Sequence, residues 1–146
     1  MTTIAPITPA DHDEWLPLWQ AYLRFYEAEL ADAVTEDVFA RLVADVDLHG
    51  ALARDDGGRA VGLVHWLRHP ATWTTTSYCY LEDLFVAPDV RGGGIGAALV
   101  AHVRTEAAAA GAAKVYWLTQ QGNAAARRLY DRVATSTGFV HYEIRL

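Results

Sequence analysis

The sequence has very little cysteine: Cys79 stands alone among 146 residues. A single cysteine excludes a disulfide-stabilised scaffold. The longest apolar run, Ala107–Ala113, is mostly alanine and glycine. It falls far short of the roughly 18 residues that a membrane-spanning helix requires. Met1–Asp11 has neither a basic region nor an apolar core, so no signal peptide is predicted. These absences predict a cytoplasmic protein that does not cross a membrane.

The overall amino-acid composition is that of a packed globular protein. The chain is 52% hydrophobic, 11% aromatic and 21% charged, which excludes an intrinsically disordered chain. Its length matches one domain of the usual size, about 100–150 residues. No internal repeat or low-complexity linker divides it. We therefore predict a single domain over residues 1–146.

The charge is distributed unevenly along the chain. The net charge of −6 combines −9 over residues 1–56 with +3 over residues 57–146. This asymmetry would suit a cationic substrate on one side and an anionic cofactor on the other, although solvated helix faces would produce it equally well. A pI near 5.4 provides no basic stripe to replace phosphate counterions, so nucleic acid binding is not predicted.

Hydrophobic periodicity and turn residues predict the element order β-α-α-β-β-β-α-β-α-β. The turn Asp55–Gly58 predicts a hairpin, Thr35 is the predicted N-cap of the second helix, and Gly111 is the predicted C-terminal cap of the third. This order favours a mixed α/β sheet with helices on both faces. The predicted strands are Thr3–Thr8, Gly50–Arg54, Ala60–Arg68, Ser77–Val86, Lys114–Thr119 and Gly138–Ile144.

A glycine-rich loop between a strand and a helix is the most informative feature of the sequence. Its exposed amides and the helix dipole can bind phosphate. A Walker loop is excluded because no lysine is present, whereas a dinucleotide-type pattern is formally met but lacks the later acidic residue. The third pattern, R/Q-x-x-G-x-G/A, is met by Arg91, Gly94 and Gly96. A simple glycine turn is the structural alternative.

A specific resemblance emerges when the flanking residues are included. Tyr80–Val86 (YLEDLFV) followed by Arg91–Gly96 resembles the pyrophosphate-binding segment of the GNAT acyl-CoA N-acetyltransferases. The pattern is closest to their diamine (spermidine/spermine-type) and Hpa2-like branch. That branch also carries an asparagine after a short strand and a tyrosine two helical turns later, which here are Asn123 and Tyr130. The strong part of the resemblance covers Tyr78–Tyr142.

The resemblance implies a GNAT-type, mostly antiparallel sheet of six to seven strands, splayed between the strand that ends at Val86 and the strand Val115–Leu118. Acetyl-CoA would occupy that opening, with no metal, and the protein would form a homodimer. The pantetheine arm of acetyl-CoA would pair with Leu84–Val86, and the pyrophosphate of acetyl-CoA would contact Gly92–Ala97. The implied cofactor-binding residues are Leu84, Phe85, Val86, Arg91, Gly92, Gly93, Gly94, Ile95, Gly96, Ala97, Asn123 and Tyr130.

Amide formation requires a base, because an amine is protonated at neutral pH. Glu82 is the candidate, and strand alternation predicts that Asp83 lies on the opposite face. The resemblance assigns Tyr130 to protonation of the departing thiolate. The structural alternatives are a surface salt bridge for Glu82 and a core position for Tyr130.

The acceptor site is less sharply defined by the sequence. Candidate residues are Tyr22, Tyr26, Glu29 and Glu82, since aromatic faces and carboxylates hold cations. An aromatic stripe at helical spacing is also typical of a core. Trp73, in a threonine-rich loop, is a further candidate to cover the acceptor. The six histidines show no metal-binding spacing, and Cys79 has no feature of a nucleophile.

These observations predict an acetyl-CoA-dependent N-acetyltransferase that acts on a primary amine of a small molecule, such as a polyamine or an amino acid. Direct attack in a ternary complex is expected, because no activated cysteine or serine is evident. The alternatives are acetylation of a protein N-terminus or lysine, and a non-catalytic acyl-CoA-binding module.

Overall fold

One sheet runs through the protein, and its strands lie side by side in chain order. The computed structural model describes all residues from Met1 to Leu146. The first four strands pair antiparallel, and the fifth pairs parallel to the fourth. The strands are β1 (Thr3–Pro6), β2 (His49–Arg54), β3 (Ala60–His69), β4 (Tyr78–Val86) and β5 (Lys114–Tyr116).

Helices cover both faces of the sheet, as predicted. One face packs against the first two helices through a cluster that includes Trp15, Phe39 and Leu63. The other face packs against the third helix through Leu99 and Val103. None of the helices combines the length and hydropathy needed to cross a bilayer. The helices are α1 (His12–Phe25), α2 (Asp32–Ala44), α3 (Ile95–Ala109) and α4 (Ala124–Val133), and short 3₁₀ turns precede α1 and α3.

Local turn chemistry explains most of the boundaries. The side chain of Asp55 accepts hydrogen bonds from the backbone N–H groups of Gly57 and Arg59, both at 3.0 Å, which confirms the predicted hairpin. Gly111 has a φ of 81°, as a left-handed helix cap requires. The predicted N-cap at Thr35 is wrong. Helix α2 begins at Asp32, and the Thr35 N–H already donates to Ala31 O inside it.

The expected sheet of six to seven strands is also wrong, because the sheet has five. Gly138–Ile144 forms no strand, and the predicted strand Lys114–Thr119 is regular only as far as Tyr116. A strand persists when its backbone N–H and C=O groups have a neighbouring strand to bond. No other part of this chain pairs with Gly138–Ile144 or with Trp117–Thr119.

Candidate active site

The site begins where β4 loses its second neighbour. Strand β4 pairs with β3 along its whole length but with β5 only over Tyr78–Tyr80. Beyond Tyr80 the backbone groups of β4 that point away from β3 have no strand partner. Leu84–Val86, the predicted cofactor-binding segment, lies on this open edge. The predicted splay of the sheet is therefore present, between β4 and β5.

The glycine loop follows directly from this edge. Gly92 and Gly94 adopt φ values of 87° and 84°, which L side chains rarely adopt. A Cβ at either position would meet no atom within 4 Å, so the loop surface is open. The first internal bond of α3 runs from Ala98 N–H to Gly94 O, which leaves the earlier amides free to donate. The loop therefore fits a bound phosphate or pyrophosphate group.

Arg91 adds a positive charge beside the open edge. Its Nε donates a hydrogen bond of 3.0 Å to Val86 O. Its guanidinium lies 5.4 Å from the centre of the Phe85 ring. The side chain is thus held at the junction of β4 and the loop. Helix α3, which follows the loop, approaches α4 at Gly96, where a Cβ would lie 3.0 Å from the Leu129 side chain.

A β-bulge places the two acidic residues of β4. His65 is opposite Asp83, but the next residue, Trp66, is opposite Leu81, so Glu82 is the extra residue of the bulge. The predicted separation of Glu82 and Asp83 onto opposite faces is therefore wrong, because a bulge interrupts the alternation of side chains. Both carboxylates lie close enough to Tyr22 to raise the pKa of its hydroxyl, after the larger effect of burial.

Asp83 is the inner carboxylate, and a buried chain of hydrogen bonds holds it. Trp15 Nε1 donates to His65 Nε2 at 3.0 Å. Because an indole nitrogen can only donate, His65 Nε2 must accept. The proton of the neutral ring is then on Nδ1, which lies 3.0 Å from Asp83 Oδ2 and donates to it. Asp83 is therefore a fixed hydrogen-bond acceptor whose side chain is 15% exposed.

Glu82 is the outer carboxylate and reaches solvent. Partial burial raises the pKa of Glu82, and the negative charge of Asp83 raises it further. The positive charge of Arg41 opposes this shift. A carboxylate whose pKa is raised is a better proton acceptor than an ordinary glutamate.

Two tyrosines close the site between α1 and α4. Burial and the charge of Asp83 raise the pKa of Tyr26. Burial raises the pKa of Tyr130 to about 12, with Tyr26 contributing. The Tyr130 ring stands edge-on to Trp117, with 5.3 Å between the ring centres. Tyr130 therefore keeps its proton at any neutral pH.

Other predicted residues lie apart from this group. Glu29 follows α1, is exposed and makes no hydrogen bond or ion pair. Trp73 is exposed and does not cover the site, contrary to expectation. Asn123 caps α4, accepting from Ala126 N–H at 3.3 Å. Cys79 is buried, and burial raises the pKa of its thiol to about 11.

Sequence reasoning missed Trp15 and His65 as supports of the site. The available signal was a histidine placed between Val64 and Trp66 in an otherwise apolar strand. A polar group in such a position needs a buried partner. The partners, Trp15 and Asp83, are 50 and 18 residues away in the chain.

Comparison with known proteins decides the family. The model of the acetyltransferase (GNAT) family matches residues 13–134. The chain belongs to the GNAT family. This membership makes it an acyltransferase, and the family's acyl donor is acetyl-CoA. The open edge of β4 and the glycine loop both lie within the matched residues.

Individual GNAT relatives match along nearly the whole chain. The D-amino-acid N-acetyltransferase HPA3 of Saccharomyces cerevisiae is 35% identical over 142 residues, covering 96% of this chain and 88% of the relative. The structure of a ribosomal-protein-alanine N-acetyltransferase from Brucella melitensis biovar Abortus 2308 has a TM-score of 0.81 at 25% identity, with both chains fully covered. AAC(6')-Iy, bound to the bisubstrate analogue CoA-S-monomethyl-acetylneamine, has a TM-score of 0.85 at 18% identity and covers 100% of this chain and 99% of its own. At 18% identity, this similarity shows only that the two proteins share a fold.

Proposed function

We propose that this GNAT enzyme transfers an acetyl group to the primary amine of a small molecule, with amino acids and polyamines as the leading acceptor classes. The observation that carries the proposal is the pairing of Glu82 and Asp83 on the β4 bulge, next to the open edge of β4. A relative that is 35% identical is named as a D-amino-acid N-acetyltransferase, which supports an amino acid as acceptor. The adjacent carboxylates support any acceptor that arrives as an ammonium ion.

Acetyl-CoA, when bound, supplies the activated thioester. We assign the backbone of Leu84–Val86 to its pantetheine arm and the amides of Gly92–Ala97, with Arg91, to its pyrophosphate. The open surface of the loop and the free amides of α3 support this assignment. We also assign to Asn123, beyond its role as a helix cap, a hydrogen bond to the same arm.

The two carboxylates have different roles toward the acceptor amine. Asp83, which His65 holds in place, attracts the ammonium ion, and the rings of Tyr22 and Tyr26 line the approach. Glu82, with its raised pKa, removes the proton from the ammonium nitrogen, directly or through a water molecule. The neutral amine can then attack the thioester in a ternary complex. Glu29 is proposed to attract cations from a more distant, exposed position.

Tyr130 completes the reaction by holding a proton on its phenolic oxygen. As the carbon–nitrogen bond forms and the carbon–sulfur bond breaks, the departing sulfur takes the phenolic proton of Tyr130. The nitrogen loses its second proton as the amide forms, and that proton returns to the Tyr130 oxygen through water. The Tyr130 hydroxyl, whose pKa is about 12, stays protonated until that moment. We assign stabilisation of the negative charge on the carbonyl oxygen to the backbone N–H groups on the open edge of β4.

A thiol-release assay with acetyl-CoA tests this proposal directly. The acceptor panel contains D- and L-amino acids, polyamines and aminoglycosides, and calorimetric titration of acetyl-CoA runs alongside. Turnover with one small-amine class, lost in Glu82→Gln, is the expected result. The matched control is Glu106→Gln on α3, which removes an equal charge from an exposed position outside the carboxylate pair and should change kcat by less than about twofold.

One observation favours a second candidate, a protein N-terminus as acceptor. The Brucella structure at 25% identity is named as a ribosomal-protein-alanine N-acetyltransferase. A short peptide with an N-terminal alanine therefore belongs in the same panel. Turnover of that peptide alone would replace the small-molecule proposal. Acetyl-CoA binding without turnover of any acceptor would favour a non-catalytic acyl-CoA-binding module.

A further inference from the structure

Lys114 is the single lysine of the chain, whose other basic residues are arginines. It begins β5 and lies opposite Tyr78 of β4. Its ammonium group stands over two aromatic rings, 4.2 Å from the centre of Tyr78 and 5.9 Å from the centre of Tyr116. None of the ion pairs of the protein includes Lys114. The two rings therefore position a cation that has no acidic partner.

Two hydrogen bonds anchor the Tyr116 ring beside this cation. His69 Nδ1 lies 2.7 Å from Pro70 O, and a carbonyl oxygen can only accept, so Nδ1 carries the proton of the neutral imidazole. His69 Nε2 must then accept from the Tyr116 hydroxyl, which lies 2.7 Å away. The Tyr116 ring cannot turn without breaking this bond. Lys114 is accordingly held against a fixed aromatic surface.

A row of tyrosine rings connects Lys114 with the carboxylate pair of β4. Tyr116 lies against Tyr80, with 5.0 Å between the ring centres. Burial and then the charge of Glu82 raise the pKa of Tyr80, so Tyr80 is near that carboxylate. We call Tyr78, Tyr80 and Tyr116 the tyrosine row, and each of them is only partly buried. The row thus forms an accessible surface with a negative end at the carboxylate pair and a positive end at Lys114.

Arg41 is the other cation near this surface, and it is already paired. Its positive charge acts against the raised pKa of Glu82, so it is within electrostatic range of the site. One guanidinium nitrogen of Arg41 lies 2.8 Å from Asp47, and another lies 3.8 Å from Asp37. A ligand carboxylate at Arg41 would compete with these two acids. A ligand carboxylate at Lys114 would displace only water, which makes Lys114 the better site for an anionic group.

The separation of the two ends sets the length of a molecule that reaches both. Glu82 is four residues beyond Tyr78, the partner of Lys114. At a strand rise of about 3.3 Å per residue, shortened by the bulge, the two ends are about 10–13 Å apart. A free α-amino acid spans about 3.5 Å, whereas an extended tripeptide spans about 10 Å. A polyamine of that length would bring a second ammonium group to Lys114, which would repel it.

We propose that Lys114 binds the carboxylate of the acceptor while the carboxylate pair binds its ammonium group, so that the enzyme selects short peptides, with a tripeptide as the best fit. This inference rests on the proposed function, because it names the acceptor of the same site. The tyrosine row contacts the peptide between its two charged ends. Lys114 is thus a specificity-determining residue and takes no part in proton transfer.

Two matched peptides, triglycine and triglycinamide, test the inference. They differ only in the charge of the C-terminus, and they have no D or L form. We expect kcat/KM for triglycine to exceed that for triglycinamide about tenfold, the effect of one charge-assisted hydrogen bond. Lys114→Gln should reduce this ratio to about one, and Lys114→Arg should retain most of it. The matched control is Arg104→Gln, which removes an equal charge from an exposed position of α3, on the opposite face of the sheet, and should leave the ratio unchanged.

Both peptides are assayed on one preparation, so the ratio does not depend on how much of a variant is folded. A ratio that is the same in Lys114→Gln as in the unsubstituted enzyme would overturn the inference. Equal turnover of the two peptides by the unsubstituted enzyme would also overturn it and would favour a protein N-terminus, which the amide resembles. Turnover of free amino acids or polyamines, with neither peptide accepted, would overturn this inference and leave the proposed function standing. Absence of turnover with every acceptor would overturn the proposed function itself.

Discussion

Replacing His65 with phenylalanine is the sharpest perturbation of the acceptor side of the site. The substitution keeps a ring of similar size in a position that is 5% exposed and removes both nitrogens. Trp15 Nε1 loses its acceptor, and Asp83 loses the donor that lies 3.0 Å from its carboxylate. Neither partner has another hydrogen bond of comparable geometry among the side chains around it.

The expected loss of stability follows from these two bonds. Leaving a buried donor such as Trp15 Nε1 unsatisfied costs about 1–3 kcal/mol, and losing a hydrogen bond to a charged group costs about 1.5–3 kcal/mol. Together they predict that His65→Phe lowers the free energy of unfolding by about 2.5–6 kcal/mol. For a domain of this length, that corresponds to a fall in Tm of roughly 10–25 °C.

Urea unfolding at equilibrium measures the change, with the m-value checked so that a shifted midpoint reports stability. His102→Phe is the matched control. The Nε2 atom of His102 is buried without a partner, so removing it should change stability by less than about 1 kcal/mol. His65→Gln should recover much of the loss, because an amide can accept from Trp15 and donate to Asp83 at once. A loss in His65→Phe no larger than in His102→Phe would refute the hydrogen-bond chain.

Three further predictions concern the reaction itself. Tyr130→Phe should lower kcat by about 10²–10⁴ if the hydroxyl protonates the leaving sulfur, while the calorimetric Kd for acetyl-CoA stays nearly unchanged; equal losses in both would make Tyr130 structural. Burial and the charge of Asp83 raise the pKa of Glu82. On acidification, activity should therefore fall at a higher pH than it would if the base were a glutamate with an ordinary pKa. Asp83→Asn should move that acid limb to lower pH in the kcat/KM profile, and an unmoved limb would show that the charges are independent. Gly94→Ala forces a side chain into a left-handed conformation at a cost of about 1–2 kcal/mol, so acetyl-CoA binding should weaken by up to roughly thirtyfold; an unchanged Kd would exclude the loop amides from the donor site.

Features that depend on neighbouring residues were predictable from the sequence. The Asp55–Gly58 turn, the left-handed Gly111 cap and the Asn123 cap of α4 all formed as expected. The glycine loop also lies between a strand and a helix, where the motif requires it. Each of these features is decided by the backbone preferences and hydrogen bonds of a few consecutive residues. Local features of this kind also carry the family resemblance, which is strongest over Tyr78–Tyr142.

The arrangement of the two carboxylates was not predictable in this way. Alternation along β4 assigns Glu82 and Asp83 to opposite faces. Only the register against β3 reveals that Glu82 is the extra residue of a bulge. The support of Asp83 is equally non-local, because Trp15 is on α1 and His65 is on β3. A sequence pattern with a period of two describes one strand, whereas a bulge is a property of two paired strands.

The segment Gly138–Leu146 shows the same limit in another form. Val140, Tyr142 and Ile144 alternate with polar residues, and this pattern predicts a strand with one apolar face, yet no strand forms there. A strand requires a second backbone whose N–H and C=O groups it can bond, and alternation along one segment does not state which backbone supplies them. The predicted strand Lys114–Thr119 is shortened for the same reason, because no backbone pairs with it beyond Tyr116.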